Sequence, residues 1–321
     1  MSFQRGNSRK NLPVPLPEQY RTLRVVVVGS YNTDLVIWSD LVPVEGQSLV
    51  GGEFDMFGGG RGANCAVAAA RAGCQVKFVG GHGKDMFGQM AVERLAREHI
   101  DISHFIELPA SKTGVALVYQ RRKTGGNAVL VTNSANHQLP ATLVTKAESA
   151  IRQSDLVFTQ FEIAPSVVSE VYRVCNRHNK RLVVHASPVQ PPIPFPRGHY
   201  CLLVADGYEI LQLTGRNRLS DAIEELHHRG VQNAIVRHGH TSLTVSNGKN
   251  TQVELVQNAE FLQDLGAAEC LTAWAGITLA LTGDLVRAAS VGAEAMAFNV
   301  SRRGAQDSMP YPSELPIDWL K

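Results

Sequence analysis

A run of four valines at positions 25–28, closed by glycine at position 29, restricts the fold more than any other segment. A short β-branched run of this kind predicts a strand buried on both faces, as in a mainly parallel sheet. Further apolar strands alternate with helical segments through the rest of the chain. This alternation predicts a doubly wound α/β fold in which helices cover both faces of the sheet.

The other strands predicted for this sheet cover residues 76–79, 156–159, 181–185, 202–205 and 234–237. Predicted helices cover residues 63–72, 87–99, 165–178, 208–214, 220–229, 267–281 and 285–300. Residues 48–57 and 114–132 instead alternate apolar and polar side chains, and Lys123–Gly126 divides the second stretch as a hairpin signal. Such two-sided strands predict a small β-sheet lid. We therefore expect one domain over residues 24–321, preceded by a loose basic arm at residues 1–23.

Composition limits the classes of partner. A length of 321 residues suits one α/β domain with a small appendage, and a net charge of +2 gives no electrostatic reason to expect nucleic acid or a membrane surface. Five cysteines without a CxxC pair indicate a reducing compartment, so we expect a cytoplasmic protein; a weak organelle-targeting signal in the basic arm remains the alternative. The histidines lack zinc spacing and are predicted to lie at the surface or in loops: His137, His185, His227, His228, His238 and His240.

Three polar clusters follow predicted strand ends, where open α/β sheets place their ligands. The first holds Asn32 and Asp34, which point the same way on an extended segment and could bind a polyol or could serve as turn residues. The second is the glycine-rich run 58–64, which opens a helix and could admit a ligand, hold a phosphate or only pack tightly. The third ends at Glu162, which could accept sugar hydroxyls or be an exposed loop residue.

The order of these motifs resembles the ribokinase group of the phosphofructokinase-B carbohydrate kinase family. The resemblance spans about residues 24–312. It rests on the motifs GSYNTD (29–34), GGRGAN (59–64), TGVALV (113–118), NSAN (133–136), QFE (160–162) and GAQDS (304–308). It implies a three-layer α/β/α ribokinase-like fold with a β-sheet lid that often forms a dimer, and transfer of the ATP γ-phosphate to a sugar hydroxymethyl. It also implies a sugar site at Asn32, Asp34, Gly60, Arg61, Asn64 and Glu162. Arg61 stands where the family usually has lysine, which could change the pocket's shape.

The second family signature departs from its pattern at two positions. It should form an anion hole at a helix N-terminus and end in the aspartate that deprotonates the sugar hydroxyl. The matching stretch is Asp264–Cys270, which puts Ala267, Ala268 and Glu269 at the anion hole and Cys270 at the base position. A neutral thiol does not accept the proton, and Glu269 would repel phosphate if it points inward, although it could also swing outward.

The resemblance places a nucleotide site at Asp206, Glu209, Arg237 and Gly239. Glu209 would help to organise Mg²⁺, while Asp264, Gly304 and Ser308 match the binding region of an activating K⁺. The family's asparagine is Asp206 here, and the nucleotide loop that contains Gly239 lacks its second glycine.

Three functions remain open from the sequence. The first is a homologue that binds a pentose or related small sugar, as a homodimer through the lid, and has lost most or all phosphoryl transfer. The second is an active kinase that uses ATP with Mg²⁺ and a substitute base such as Asp264, Asp206 or the Cys270 thiolate. The third is an interaction protein that keeps the fold for its dimer surface.

Overall fold

A computed structural model of the chain describes residues 23–41, 43–123, 125–132, 134–189, 200–249, 251–255 and 260–315. The predicted basic arm up to residue 22 lies outside these residues, as do Thr124 of the hairpin signal and Asn133 of the NSAN motif. No helix among the described residues is long and apolar enough to cross a membrane.

The main sheet contains nine described strands and is parallel except at one edge. In spatial order its strands are β13 (Thr251–Leu255), β12 (Ser242–Ser246), β11 (Ala234–His238), β10 (Leu202–Asp206), β9 (Leu182–His185), β8 (Leu156–Gln160), β1 (Arg24–Val28), β4 (Gln75–Gly83) and β5 (Asp101–Leu108). The four valines of β1 are buried inside the sheet, between β8 and β4, as their β-branched run predicts. Strands β11, β12 and β13 pair antiparallel.

Helices cover both faces of this sheet and make the predicted three layers. One core contains the alanine-rich surfaces of α1 (Arg61–Arg71), α8 (Ala267–Thr282) and α9 (Leu285–Val300), together with α2 (Met86–Arg97). The opposite core contains α3 (Thr142–Lys146), α4 (Glu148–Gln153), α5 (Pro165–Arg177), α6 (Gly207–Thr214) and α7 (Leu219–His228). Small side chains in α1 and α8 let these two helices approach closely, which brings their N-terminal turns together at the carboxyl ends of the strands.

The lid is a separate four-stranded sheet. Its strands, in spatial order, are β3 (Glu53–Gly59), β2 (Asn32–Trp38), β6 (Gly114–Gln120) and β7 (Asn127–Val131). Val36, Trp38, Ala116 and Val118 point inward and pack against Leu265 and Ala305 of the main domain. Every described residue of β7 is exposed.

Several boundaries differ from the sequence-based predictions. Strand β3 begins at Glu53 rather than residue 48. Strand β2 was missed because the polar residues after Gly29 were interpreted as an extended segment at the end of β1 and not as the start of a lid strand. Strands β5, β12 and β13 were also missed. The pattern of β5 explains this, because it alternates partly exposed and polar residues at the sheet edge instead of forming an apolar run.

Candidate functional site

A cavity of about 660 Å³ lies between the lid and the carboxyl ends of the strands of the main sheet. Eleven of the predicted site residues line it: Asn32, Asp34, Gly60, Arg61, Asn64, Glu162, Asp206, Arg237, Asp264, Ala268 and Glu269. We call Asn32, Asp34, Gly60, Asn64 and Glu162 the sugar end of the cavity. The phosphate end consists of the Arg61 side chain with Asp206, Arg237, Asp264 and Glu269. The remaining predicted residues lie outside its lining: Glu209, Gly239, Ala267, Cys270, Gly304 and Ser308.

Strand β2 of the lid, rather than a loop, carries Asn32 and Asp34. Because side chains two residues apart on a strand share a face, both enter the cavity. Asn136 fixes the first of them: its Nδ2 atom donates to Asn32 Oδ1 at 2.8 Å and to the Tyr31 carbonyl at 3.0 Å. Asn136 is itself buried, so the Asn32 side chain is held in one orientation before any ligand binds.

Glycines 59 and 60 allow strand β3 to run directly into helix α1. Gly60 caps the helix with φ +86°, and a Cβ atom there would lie 2.5 Å from the Asn32 backbone nitrogen. A Cβ atom on Gly59 would overlap the Asp34 carboxylate. Larger residues therefore do not fit at either position. The close approach places Arg61 and Asn64, in the first turn of α1, beside β2.

Asp34 is the least compensated charge at the sugar end. Its side chain is buried, and the described residues offer it no hydrogen bond. Burial, with the neighbouring carboxylates of Glu162 and Glu269, raises the pKa of Asp34 to about 8. Asn64 Oδ1 is likewise buried without a partner among the described residues. Asp34 and Asn64 both line the cavity, where a polar ligand could supply the missing hydrogen bonds.

Glu162 follows β8 and is buried, not an exposed loop residue. Its Oε2 atom accepts hydrogen bonds from Ser30 Oγ at 2.6 Å and from the Arg61 backbone nitrogen at 3.1 Å. Glu162 thus joins the end of β1 to the N-terminus of α1. The free N–H groups and positive dipole end of that helix stabilise its negative charge.

Glu269 points into the cavity, which decides between the two orientations left open by the sequence. Its Oε1 atom lies 3.0 Å from Arg61 Nη1 and 3.3 Å from His185 Nδ1. The carboxylate is buried in the first turn of α8, and the Arg61 side chain covers it from α1. The guanidinium that the resemblance assigns to ligand binding is therefore paired with a carboxylate of the same chain.

Cys270 is fully buried between α8 and α1 and does not line the cavity. Burial raises the pKa of its thiol well above the usual value, and the charge of Glu269 raises it further. A thiol in this environment stays protonated at neutral pH. The role of a thiolate base, left open by the sequence, has no support from these surroundings.

Arg237 connects two aspartates across the phosphate end. Its Nε and Nη2 atoms donate to Asp206 at 2.6 and 2.9 Å, and its Nη1 and Nη2 atoms donate to Asp264 at 2.6 and 3.0 Å. Burial lowers the pKa of Arg237, but the two carboxylates outweigh it and raise the pKa overall. Both aspartates use their two oxygens in these bonds.

The residues expected at metal sites are occupied by internal hydrogen bonds. Glu209 caps α6 by accepting from the Asp206 backbone nitrogen at 3.0 Å and also accepts from Ser187 Oγ. Ser308 Oγ donates to the Gly304 carbonyl, and both oxygens of Asp264 contact Arg237. Within the described ranges, no group of three or more His, Cys, Asp or Glu side chains could hold a metal ion. The arrangement does not fit a K⁺ or Mg²⁺ site at these side chains, so we derive no step through either ion.

One residue of the cavity was misplaced by sequence reasoning. His185, predicted at the surface or in a loop, is buried at the end of β9 and lines the cavity. Burial and then the nearby Arg61 lower the pKa of His185 well below its usual value, so the ring facing Glu269 is neutral. Its Nδ1 atom is not aligned for a hydrogen bond and has no other described partner. The position of His185 at the end of a strand was the available signal. His137 also lines the cavity and is exposed, as predicted.

The chain is similar to known proteins in both sequence and fold. Residues 22–312 match the profile of the pfkB family carbohydrate kinases. The chain belongs to this family. Among curated relatives, ribokinase of Bacillus subtilis is 27% identical over 291 residues, covering 91% of this chain and 97% of its own length. Ribokinase of Mus musculus is 28% identical over 310 residues, covering 91% and 94%.

Solved ribokinase structures share the fold. The ribokinase of Arabidopsis thaliana, solved with ribose and ATP, superposes with a TM-score of 0.83 at 23% identity, covering 94% of this chain and 99% of its own. That of Thermotoga maritima gives a TM-score of 0.79 at 26% identity, covering 91% and 97%. The predicted ribokinase-like fold with a lid is thus confirmed.

Proposed function

We propose that this protein binds a pentose or a related small sugar and has lost most or all of its capacity for phosphoryl transfer. Membership of the pfkB carbohydrate kinase family supports a carbohydrate ligand, and ribokinases are prominent among the relatives of the chain. The Arabidopsis relative was solved with ribose, which makes ribose the first ligand to test.

One observation carries the loss of transfer. The buried Glu269 carboxylate enters the cavity and pairs with Arg61 where the family resemblance places an anion hole for phosphate. The adjacent base position holds the Cys270 thiol, buried and with a raised pKa. General-base catalysis is typically worth ~10²–10⁴-fold, so loss of the base alone accounts for a large defect.

The charge of the cavity also opposes ATP. Besides Asp34, whose pKa of about 8 leaves it mostly neutral at neutral pH, four carboxylates line the described part of the cavity: Glu162, Asp206, Asp264 and Glu269. The two arginines of this lining are already paired with carboxylates. One carboxylate about 5 Å from one phosphate charge costs roughly 3 kcal/mol at an effective dielectric constant near 20. A neutral sugar avoids this repulsion and can still form hydrogen bonds with the side-chain oxygens of Asp34 and Asn64, which have no described partner.

Two assays test this function together. Isothermal titration with ribose and related sugars should show binding in the millimolar range or tighter, whereas ADP release from ATP with the same sugars should stay near background. Absence of binding to every sugar would reject carbohydrate binding. ADP release above ~1 s⁻¹, ordinary for kinases, would reject the loss of transfer.

Restoring the family residues provides a second test. The double variant Glu269→Gly with Cys270→Asp should release ADP faster than the parent chain. The matched control is Glu269→Gly with Cys270→Ser, which reopens the anion hole without a carboxylate base. If the double variant and its control are equally inactive, Arg237 and Asp206 already suffice to disable the site.

A second candidate function is an active ATP-dependent kinase with a substitute base. Asp206 and Asp264 are held by Arg237, and the Cys270 thiol is protonated, so these three are poor bases. The neutral His185 ring on the cavity wall, beside Glu269, is the remaining proton acceptor that we consider, but its lowered pKa makes it a weak base, so this function predicts slow turnover. The discriminating result is ADP release by the parent chain that the His185→Gln variant loses.

We further propose that the lid joins two copies of the chain. The outer lid face carries four exposed apolar side chains, Ile37, Phe54, Leu117 and Leu130, and Leu117 pairs directly with Leu130 across β6 and β7. A cluster of exposed apolar side chains of this kind marks an interaction surface. Sedimentation should give the mass of a dimer for the parent chain and of a monomer for Leu117→Asp with Leu130→Asp. A monomeric parent would reject the dimer.

A further inference from the structure

The Asp206–Arg237–Asp264 cluster brings three chain segments together at the phosphate end. Arg237 lies at the end of β11, Asp206 at the end of β10, and Asp264 just before α8. All three side chains line the cavity. Four hydrogen bonds of 2.6–3.0 Å connect the single guanidinium to all four carboxylate oxygens. The Arg237 side chain is only 7% exposed, whereas Asp264 is 34% exposed.

Two carboxylates directed at one point repel each other unless a cation lies between them. Proteins commonly fill such a position with a metal ion, since carboxylate oxygens are the preferred ligands of hard cations. Here the planar guanidinium serves instead, because its fork of N–H groups matches both carboxylates with bidentate geometry. Its permanent charge means that the position is filled at every physiological pH.

We infer that Arg237 is a resident cation that takes the place of a metal ion between Asp206 and Asp264. The folded chain accordingly needs no K⁺ or Mg²⁺ at these side chains. This inference is independent of which sugar the cavity binds, and it would stand if the proposed sugar binding failed. It also predicts that removing the arginine converts the two aspartates into a metal site that the parent chain lacks.

Thermal unfolding of the full chain tests this inference without a substrate. Melting temperatures are measured at constant ionic strength with tetramethylammonium chloride alone, then with KCl, MgCl₂ or CaCl₂. The melting temperature of the parent chain should be the same in all of these salts. Arg237→Gln should melt lower in the metal-free buffer and recover by about 3 °C in CaCl₂ or MgCl₂, as expected when an ion binds the native state at about ten times its Kd.

Arg303 supplies a matched control elsewhere in the fold. Its Nη1 atom also bridges two carboxylates of the lid, those of Glu53 at 3.0 Å and Asp55 at 3.4 Å, but the Arg303 side chain is 45% exposed against 7% for Arg237. Arg303→Gln should therefore show no ion-specific recovery. The inference would be overturned if the parent chain or Arg303→Gln gained as much melting temperature in CaCl₂ or MgCl₂ as Arg237→Gln does. It would also be overturned if Arg237→Gln gained none.

A second variant covers the case in which Arg237→Gln does not fold. The double variant Arg237→Gln with Asp206→Asn lacks one of the two carboxylates that repel each other, so it should fold. Its melting temperature should not rise when divalent ions are added. If Arg237→Gln is unfolded without metal, addition of CaCl₂ should restore folding. A chain that stays unfolded with CaCl₂ while the double variant folds would contradict the inference.

Discussion

The two ends of one cavity satisfy their polar groups in opposite ways. At the sugar end, Asp34 and the Asn64 Oδ1 atom have no described partner. At the phosphate end, the chain pairs its own charges, Arg61 with Glu269 and Arg237 with Asp206 and Asp264. Since unpaired buried groups are costly, the first end is built for a ligand that completes it. The second end is already complete, so an incoming phosphate would have to break bonds that exist.

The largest effect should come from removing the open carboxylate at the sugar end. Asp34→Ala should lower ribose affinity about 30-fold, because charged or ionisable hydrogen-bonding groups contribute roughly 2 kcal/mol each. Isothermal titration measures this change. Asp101→Ala is the control, since Asp101 forms an ion pair with Lys77 on the far edge of the main sheet. Equal affinity in Asp34→Ala and the parent chain would show that the open end is not the sugar site.

The same carboxylate should reduce stability as pH rises. The pKa of Asp34 is about 8 in the folded chain against an ordinary value of 3.8, so the native state binds the extra proton between these values. Stability is therefore lost progressively from pH 4 to pH 8. Asp34→Asn removes this pH dependence. Its free energy of unfolding should exceed that of the parent chain by about 2 kcal/mol at pH 9 and by almost nothing at pH 4.

Urea unfolding of both proteins at the two pH values provides the measurement. A gain of the same size at pH 4 and pH 9 would show that the Asp34 charge is not the cause. A gain that is largest at pH 4 would reverse the sign and contradict the described environment of Asp34.

At the phosphate end, releasing Arg61 should create affinity for anions. Glu269→Gly should bind inorganic phosphate or ADP about tenfold more tightly than the parent, because one charge-assisted hydrogen bond becomes available to the ligand. Glu269→Gly with Arg61→Gln is the control in a double-mutant cycle. If the control gains as much affinity, the space left by Glu269 is responsible rather than the guanidinium.

The smallest effect should follow from Arg61→Lys. The Arg61 backbone nitrogen contacts Glu162, whereas its guanidinium contacts Glu269, so the side chain belongs to the phosphate end. Ribose affinity should change by less than about threefold, below the roughly 1 kcal/mol of a typical hydrogen bond. A larger loss in the titration would show that the guanidinium binds the sugar, as the resemblance implies for this position.

The sequence predicted those parts of the fold whose pattern is local. The valine run of β1 and the alanine-rich helices α1, α8 and α9 have one-dimensional signatures of burial, and the structure contains them. Strand β2 was missed because its polar start is the sugar end itself. Binding residues interrupt the apolar pattern from which strands are recognised.

The site was predicted as a set of residues but not as a set of contacts. The orientation of Glu269 depends on Arg61, which is 208 residues away in sequence, and no local pattern reports such a pair. The burial of His185 likewise follows from the packing of β9 between β8 and β10. Distances and charge pairing therefore had to come from the three-dimensional structure.

The most direct test of the contrast between the two ends is a pair of titrations on one preparation of the full chain, with ribose and with ATP in the presence of Mg²⁺. The account predicts heat of binding that saturates with ribose, and none with ATP at the same concentrations. Saturable ATP binding without ribose binding would contradict it, because that result would make the self-paired end the functional one.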